Sequence, residues 1–154
     1  MKKLSRVVLF LDATSIILMD KLDCLKHIDC VGAQALISTG VLDEVELGAS
    51  PDGLHVNRFP AIGLRNPPKT DILLDESLGR GERESIALCL EDPKWRILVS
   101  DDRQAQKRAV RFGVQTADSR ALLWIMCVSG RISMEKFCRG IRYVGGLHVE
   151  HAPS

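Results

Sequence analysis

Val7-Val8-Leu9-Phe10-Leu11-Asp12-Ala13-Thr14-Ser15 decides the fold class. A short continuous apolar run of this kind suits a strand buried on both faces, the type of strand found in parallel sheets covered by helices. Asp12 then stands at the strand's C-terminal end. Ser15 or Thr14 is placed to cap a helix that continues through Leu18, Leu22 and Leu25 at helical spacing. The unit is a strand, a turn and a helix, with a carboxylate at the turn.

The pattern repeats outward from this unit. Ala35 to Ser38 reads as a weaker strand, followed by Thr39 as an N-cap and a short helix that turns Val41 and Val45 to the core and carries Glu44 one residue off that pair. From Gly48 to Asp71, Ser-Pro-Asp-Gly, Phe59-Pro60 and Asn66-Pro67-Pro68 break every period. That stretch reads as a surface loop with at most a short edge strand around Ala61 to Leu64. Gly79-Arg80-Gly81 opens a compact helix, Glu82 to Glu91, which is apolar nearly all round from Ile86 to Leu90 and therefore packs on more than one side. Pro93 ends it, and Trp95 to Ser100 is the next buried strand, delivering Asp101 and Asp102 at its end. The helix that follows turns Ala105, Ala109 and Phe112 inward and sets Arg103, Lys107 and Arg111, with Arg108 nearby, on another face. Gly113 terminates it. Val114 to Thr116 is a short strand, and two helices close the chain, Arg120 to Val128 and Ser133 to about Val144, with Phe137, Ile141 and Val144 inward. Strands alternating with helices imply a parallel sheet with right-handed crossovers, and ligands of such sheets bind at the carboxyl ends of the strands.

Composition agrees with an α/β class and excludes several others. The 154 residues fit one domain spanning 1–154 and are enough to bury a real core. A hydrophobic content of 45% with 5% aromatic residues points to an aliphatic interior. The net charge of +1 carries no nucleic-acid signal, so affinity for a polyanion has to come from how charge is arranged. Five cysteines (Cys24, Cys30, Cys89, Cys127, Cys138), an odd number with no Cys-x-x-Cys, read as reduced, buried small hydrophobes of a cytoplasmic protein. The run Val7 to Leu11 is too short for a signal-peptide core, and Ala121 to Val128 is far below a membrane span, so no membrane partner is expected. His27, His55, His148 and His151 are scattered and offer no zinc set.

Four acidic stations remain: Asp12, Glu44, Glu82 with Glu84, and Asp101 with Asp102. Each also has a structural role to weigh. Asp12 can serve as an N-cap, Glu44 as a solvated helix residue, Glu82 as a charge at the positive end of its helix, Glu84 as surface, and Asp101-Asp102 as a turn plus cap. Sheet topology nevertheless sends several of them to one edge, where carboxylates repel unless one is protonated or a cation neutralises the group. A hard divalent ion accepts oxygen ligands and leaves positions open for phosphate, and hydrolysis assisted in this way needs no side-chain nucleophile. The basic stripe Arg103-Lys107-Arg111 begins beside these acids, where it can hold phosphates flanking a scissile one or serve only as a solvated face.

These segments resemble the PIN-domain nucleases, and within them the prokaryotic VapC-like branch, from about Arg6 to Leu147. The resemblance is carried by Val-Leu-Phe-Leu-Asp12-Ala-Thr-Ser, Thr-Gly-Val-Leu-Asp-Glu44-Val, Leu78-Gly-Arg-Gly-Glu82-Arg-Glu-Ser-Ile-Ala-Leu and Ile-Leu-Val-Ser-Asp101-Asp102-Arg-Gln-Ala, in that order. It implies a five-stranded parallel sheet in an α/β/α sandwich, a Mg²⁺ or Mn²⁺ ion at the acidic edge and endoribonuclease activity on RNA. A small antitoxin partner and a homodimer are implied as well. By position it assigns Asp12, Glu44, Glu82 and Asp102 as catalytic and metal-site residues, with Asp101 competing with Asp102 and Glu84 with Glu82. Thr14, Arg103, Lys107 and Arg111 are the substrate-side candidates. Gln115-Thr-Ala-Asp118-Ser stands where the family has a Gly-Thr turn, making Asp118 either a helix cap or a further acidic contact. A phosphotransfer enzyme of the haloacid-dehalogenase type needs a second acid where this chain has Thr14. The more serious alternative is a PIN-like module that binds nucleic acid or protein without cleaving.

Overall fold

The structure, a computed structural model, describes residues 7–47, 56 and 59–150, with side chains at 47, 73, 74 and 145–150 left aside. Residues 48–55, 57 and 58 of the expected loop, and the termini with Lys2, Lys3, Arg6 and His151, lie outside the described residues. Five strands, β1 (Val8–Leu11), β2 (Gln34–Ser38), β3 (Ile62–Arg65), β4 (Arg96–Val99) and β5 (Gln115–Ala117), form one sheet in the order β3-β2-β1-β4-β5. Every pairing is parallel, with Leu9 opposite Ala35 on one side and Ile97 on the other.

Because side chains alternate along a strand, the apolar run of β1 serves two cores. Leu9 and Leu11 face one side with Ala35, Ile37 and Val99, against α1 (Ala13–Lys21), α2 (Thr39–Leu47) and α5 (Ser119–Val128). Phe10 faces the other with Leu36 and Leu98, against α3 (Arg80–Leu90) and α4 (Arg103–Arg111). The expected α/β/α sandwich is therefore present, and α6 (Met134–Glu150) packs on α5. Among the described residues, no helix is long and apolar enough to cross a membrane.

Departures from the sequence-based expectations fall at element ends. The first helix is capped by Asp12, not by Ser15 or Thr14, and stops at Lys21. Asp23 adopts φ +54°, a left-handed turn that Asp tolerates better than most residues, so Leu25 opens a separate 3-10 helix (Leu25–Val31) in place of a further turn of α1. Thr39 does not cap α2. The hydroxyl of the preceding Ser38 accepts from Val41 N (3.1 Å) while Thr39 turns toward α3. Helix α3 begins two residues earlier than expected, at Arg80. Phe112 is 41% exposed, because α4 ends at Arg111, the chain reverses at Gly113 (φ +86°), and Val114 takes the buried place. Cys24 and Cys89 are buried as expected, but Cys30 and Cys127 are only half-buried and Cys138 is exposed on α6.

Candidate active site

Parallel topology delivers the ends of β1, β2 and β4 to one edge, where Asp12 feels the charges of Glu44 and Glu82. Asp12 is 7% exposed. Its Oδ1 accepts from Ala13 N (2.9 Å), and its Oδ2 accepts from the Ser100 hydroxyl at the tip of the neighbouring β4 (2.9 Å). Burial pushes its carboxyl up to about 6. The Ser100 and Ala13 hydrogen bonds oppose that rise, and the negative charges of Glu44 and Glu82 add to it. Three acids from β1, α2 and α3 are thus within electrostatic reach of one another. Thr14 supports the same corner: its hydroxyl lies 3.5 Å from Asp12 Oδ2 and 3.4 Å from Ser100 Oγ, and it accepts from Asp101 N (3.2 Å).

Glu44 is exposed on α2, and its Oε1 accepts from Gly81 N (3.2 Å). A Cβ at position 81 would come within 2.7 Å of that oxygen and 3.1 Å of Val41 Cγ2, so the second glycine of Leu78-Gly-Arg-Gly-Glu82 leaves room for Glu44 to approach. Glu82, with 11% of its side chain exposed, is gripped in a fork by Arg108 from α4, Nε to Oε1 at 2.6 Å and Nη2 to Oε2 at 2.9 Å. Glu82 and, more weakly, the charge of Asp102 hold the Arg108 guanidinium above its ordinary pKa.

The two adjacent acids after β4 have different places. Asp102 is exposed and caps α4, with Oδ1 accepting from Gln104 N (2.9 Å) and Ala105 N (3.3 Å). Asp101 points between α1 and α5. Its Oδ2 accepts from the Ser15 (2.8 Å) and Ser119 hydroxyls and its Oδ1 from Ser119 N (3.0 Å), so both carboxylate oxygens tie elements together. Asp118 caps α5 through Ala121 N (3.2 Å) and pairs with Arg120 (2.9 Å).

Glu84, expected at the surface, is instead buried. Its Oε1 accepts from Thr39 Oγ1 (2.9 Å) and Gly40 N (2.8 Å), and its Oε2 pairs with Arg80 Nε (2.9 Å). This carboxylate locks α3 onto the first turn of α2 and has its partners within the protein. Of the basic stripe, Arg103, Lys107 and Arg111 are all exposed. Lys107 and Arg111 line a shallow groove of about 420 Å³ with Gln106, Val110 and Thr116, between α4 and the edge strand β5.

A family model described as a PIN domain (DUF3368) matches residues 8–139. The chain belongs to the PIN-domain family. PIN domains are typically nucleases that use divalent metals. The matched span includes every acidic station and all five strands of this PIN domain. Its fold is similar to that of a PilT N-terminus domain protein from the hyperthermophilic archaeon Sulfolobus solfataricus P2, at 15% identity and a TM-score of 0.54, over 82% of this chain and 97% of that one. No curated protein matches it.

The donor chemistry fits the divalent ion such domains use. The edge presents oxygen ligands only, and a desolvated Asp12 pressed by two further negative charges is a group that a cation would relieve. As the side chains stand, no group of three or more His, Cys, Asp or Glu among the described residues is arranged to hold an ion. Arg108, which sequence reasoning misses as a partner of Glu82, is the cation in place. Nothing in the periodicity of α4 separates it from its neighbour Lys107.

Proposed function

We propose that this PIN domain is a divalent-metal-dependent endoribonuclease of the VapC-like branch, in which Asp12, Glu44, Glu82 and Asp102 hold Mg²⁺ or Mn²⁺ and RNA is the substrate. The observation that carries the reading is the state of Asp12, whose carboxyl is pushed up to about 6 by burial and by the charges of Glu44 and Glu82. Ionised and buried beside two other acids, this carboxylate is a cost at neutral pH that the Ala13 N and Ser100 hydrogen bonds only partly offset. It makes sense as one half of an interaction that a cation completes. A small antitoxin and a homodimeric assembly belong to the same proposal and rest on the family resemblance.

A bound divalent ion supplies Lewis-acid polarisation of the scissile phosphate and neutralises the acids around it. The chain's own residues do the rest. Ser100, donating to Asp12 Oδ2, fixes the orientation of that carboxylate, and Ala13 N fixes its other oxygen. Gly81 N holds Glu44 toward the edge. Asp101 binds Ser15 and Ser119, keeping the β4 tip seated between α1 and α5 so that Asp102 emerges at a fixed place. Arg103, Lys107 and Arg111 offer cations along a path leading away from Asp102 for the phosphates on one side of the cut. Asp12 near half-protonation at about pH 6 competes with the ion, so binding should strengthen as pH rises through that value.

The test is cleavage of a fluorescent single-stranded RNA with added Mn²⁺, with chelator, and with the Asp12→Asn, Asp102→Asn double variant. Cleavage with Mn²⁺ alone is expected. Cleavage that survives chelator, or that the double variant retains in full, would overturn the assignment. RNA binding without cleavage in any metal would favour the non-catalytic module.

A further inference from the structure

We infer that Arg108 is a built-in competitor of the divalent ion: it occupies Glu82 in the metal-free protein, and loading the site requires Glu82 to exchange the guanidinium for the metal. The inference rests on the metal-site reading proposed above, and it concerns how that site is kept and filled.

Geometry carries it. Arg108 reaches Glu82 from a different helix and takes both carboxylate oxygens, at 2.6 and 2.9 Å, in the planar fork that guanidinium and carboxylate form best. The same guanidinium lies in the field of Asp102, the acid that begins its own helix. A single positive charge therefore holds Glu82 and is felt by Asp102, while Glu44 and Glu82 both press on Asp12. Without Arg108, Glu82 would lose the cation that the fold gives it.

The two partners differ in how easily each can leave. Arg108 keeps 34% of its side chain exposed, and its long apolar stem lets the head swing into water with its donors hydrated. Glu82 keeps 11% exposed, and if it were released it would be a nearly buried, unpaired anion beside other anions. Glu82 thus has no favourable reason to let go of Arg108 unless another cation arrives, so the exchange is coupled to metal entry. A lysine at 108 would give the charge without the two-pronged grip, and a neutral residue would give neither.

A partner that merely orients a metal ligand has the opposite signature. Losing such a group typically weakens metal affinity by about 10–100-fold. Losing a competitor removes a repelling charge and the bond that must be broken, and should tighten it by about tenfold or more. The experiment is calorimetric titration of Mn²⁺ into the wild-type protein, Arg108→Gln, Arg108→Lys, and the Asp12→Asn, Asp102→Asn double variant. Arg108→Gln should bind Mn²⁺ more tightly, with Arg108→Lys between it and wild type. In thermal melts Arg108→Gln should lose stability without metal and gain more than wild type from added Mn²⁺. If Arg108→Gln does not fold, Arg108→Lys alone must still bind more tightly than wild type. Equal or weaker binding in whichever variants fold overturns the inference, as does the absence of any Mn²⁺ binding in all of them. The double variant separates the two readings: binding that persists there removes the proposed site itself, whereas binding lost there but weakened in Arg108→Gln keeps the site and removes the competition.

Discussion

Glu84 and Asp12 are almost equally hidden, at 6% and 7% exposure, yet their surroundings are opposite. At the junction of α2 and α3, Glu84 receives a hydroxyl, a backbone N–H and a guanidinium, and Gly40 is pressed so close that a Cβ there would lie 3.0 Å from its carboxylate. At the tips of β1 and β4, Asp12 receives the Ser100 hydroxyl, a longer contact from the Thr14 hydroxyl and one backbone N–H, and is repelled by two neighbouring acids. Burial of a carboxylate is therefore not the mark of a working site. What distinguishes the two regions is the positive partner: Glu84 is paired with Arg80, whereas the hydrogen-bond partners of Asp12 among the described residues carry no charge.

The sharpest way to break this comparison is to neutralise two acids of the same helix, one assigned to the proposed site and one holding α3 to α2. Glu82→Gln should lower RNA cleavage by at least about a hundredfold, as loss of a dominant charge-stabilising group does. Glu84→Gln should keep the rate per folded molecule within a few-fold but lower stability by about 1–3 kcal/mol, because Gly40 N and Thr39 lose a charged acceptor. Cleavage rates normalised to the folded fraction, with urea melts alongside, decide it. The reverse ranking would exchange the roles of the two regions.

Removing the strain at Asp12 should show directly as pH-dependent stability. Because its carboxyl titrates at about 6 in the folded protein against 3.8 unfolded, Asp12 carries no penalty below 3.8, where it is protonated in both states, and stability falls as pH rises from there through 6. Above that it opposes folding by on the order of 2–3 kcal/mol. Asp12→Asn should therefore stabilise the metal-free protein at about pH 7.5 and flatten the fall in stability between about pH 4 and pH 7. Denaturant melts across that range in chelator would show an unchanged slope if Asp12 were compensated like Glu84.

Asp101→Asn tests a third carboxylate of the compensated kind. With Ser15 and Ser119 losing their charged acceptor, stability should fall by about 1–3 kcal/mol, and Mn²⁺ affinity should weaken by no more than the roughly 10–100-fold of a lost orienting group. A large loss of metal affinity at full stability would move Asp101 into the site. The smallest effect belongs to the stripe. Neutralising Arg103, Lys107 and Arg111 together should leave stability within about 0.5 kcal/mol. The log–log salt slope of RNA binding should flatten by roughly 0.7 for each phosphate that is no longer neutralised. An unaltered slope would leave that helix a solvated face.

The sheet and its acidic edge were legible because both are written in local patterns: apolar runs of strand length that end in Asp12 and Asp101-Asp102, and helices with Val41, Val45, Ala105 and Ala109 at helical spacing. What could not be read were the long-range partners. Nothing in the sequence near Asp101 announces Ser15, 86 residues away, and nothing near Glu84 announces Thr39, 45 residues away. Local spacing sets Glu84 on a helix but not the helix against which it packs. The same limit hid Arg108, whose partner Glu82 is 26 residues away on another helix.

The central strand has one more consequence, in the order in which the chain is made. β1 pairs with both β2 and β4, and the Ser100 hydroxyl that orients Asp12 is 88 residues downstream of it. At about 5–20 residues per second of synthesis, roughly 4 to 18 seconds pass between the two leaving the peptidyl-transferase centre. A domain built this way leaves the ribosome with its first acid unoriented, and its acidic edge cannot assemble until the strand that carries Ser100 has been made.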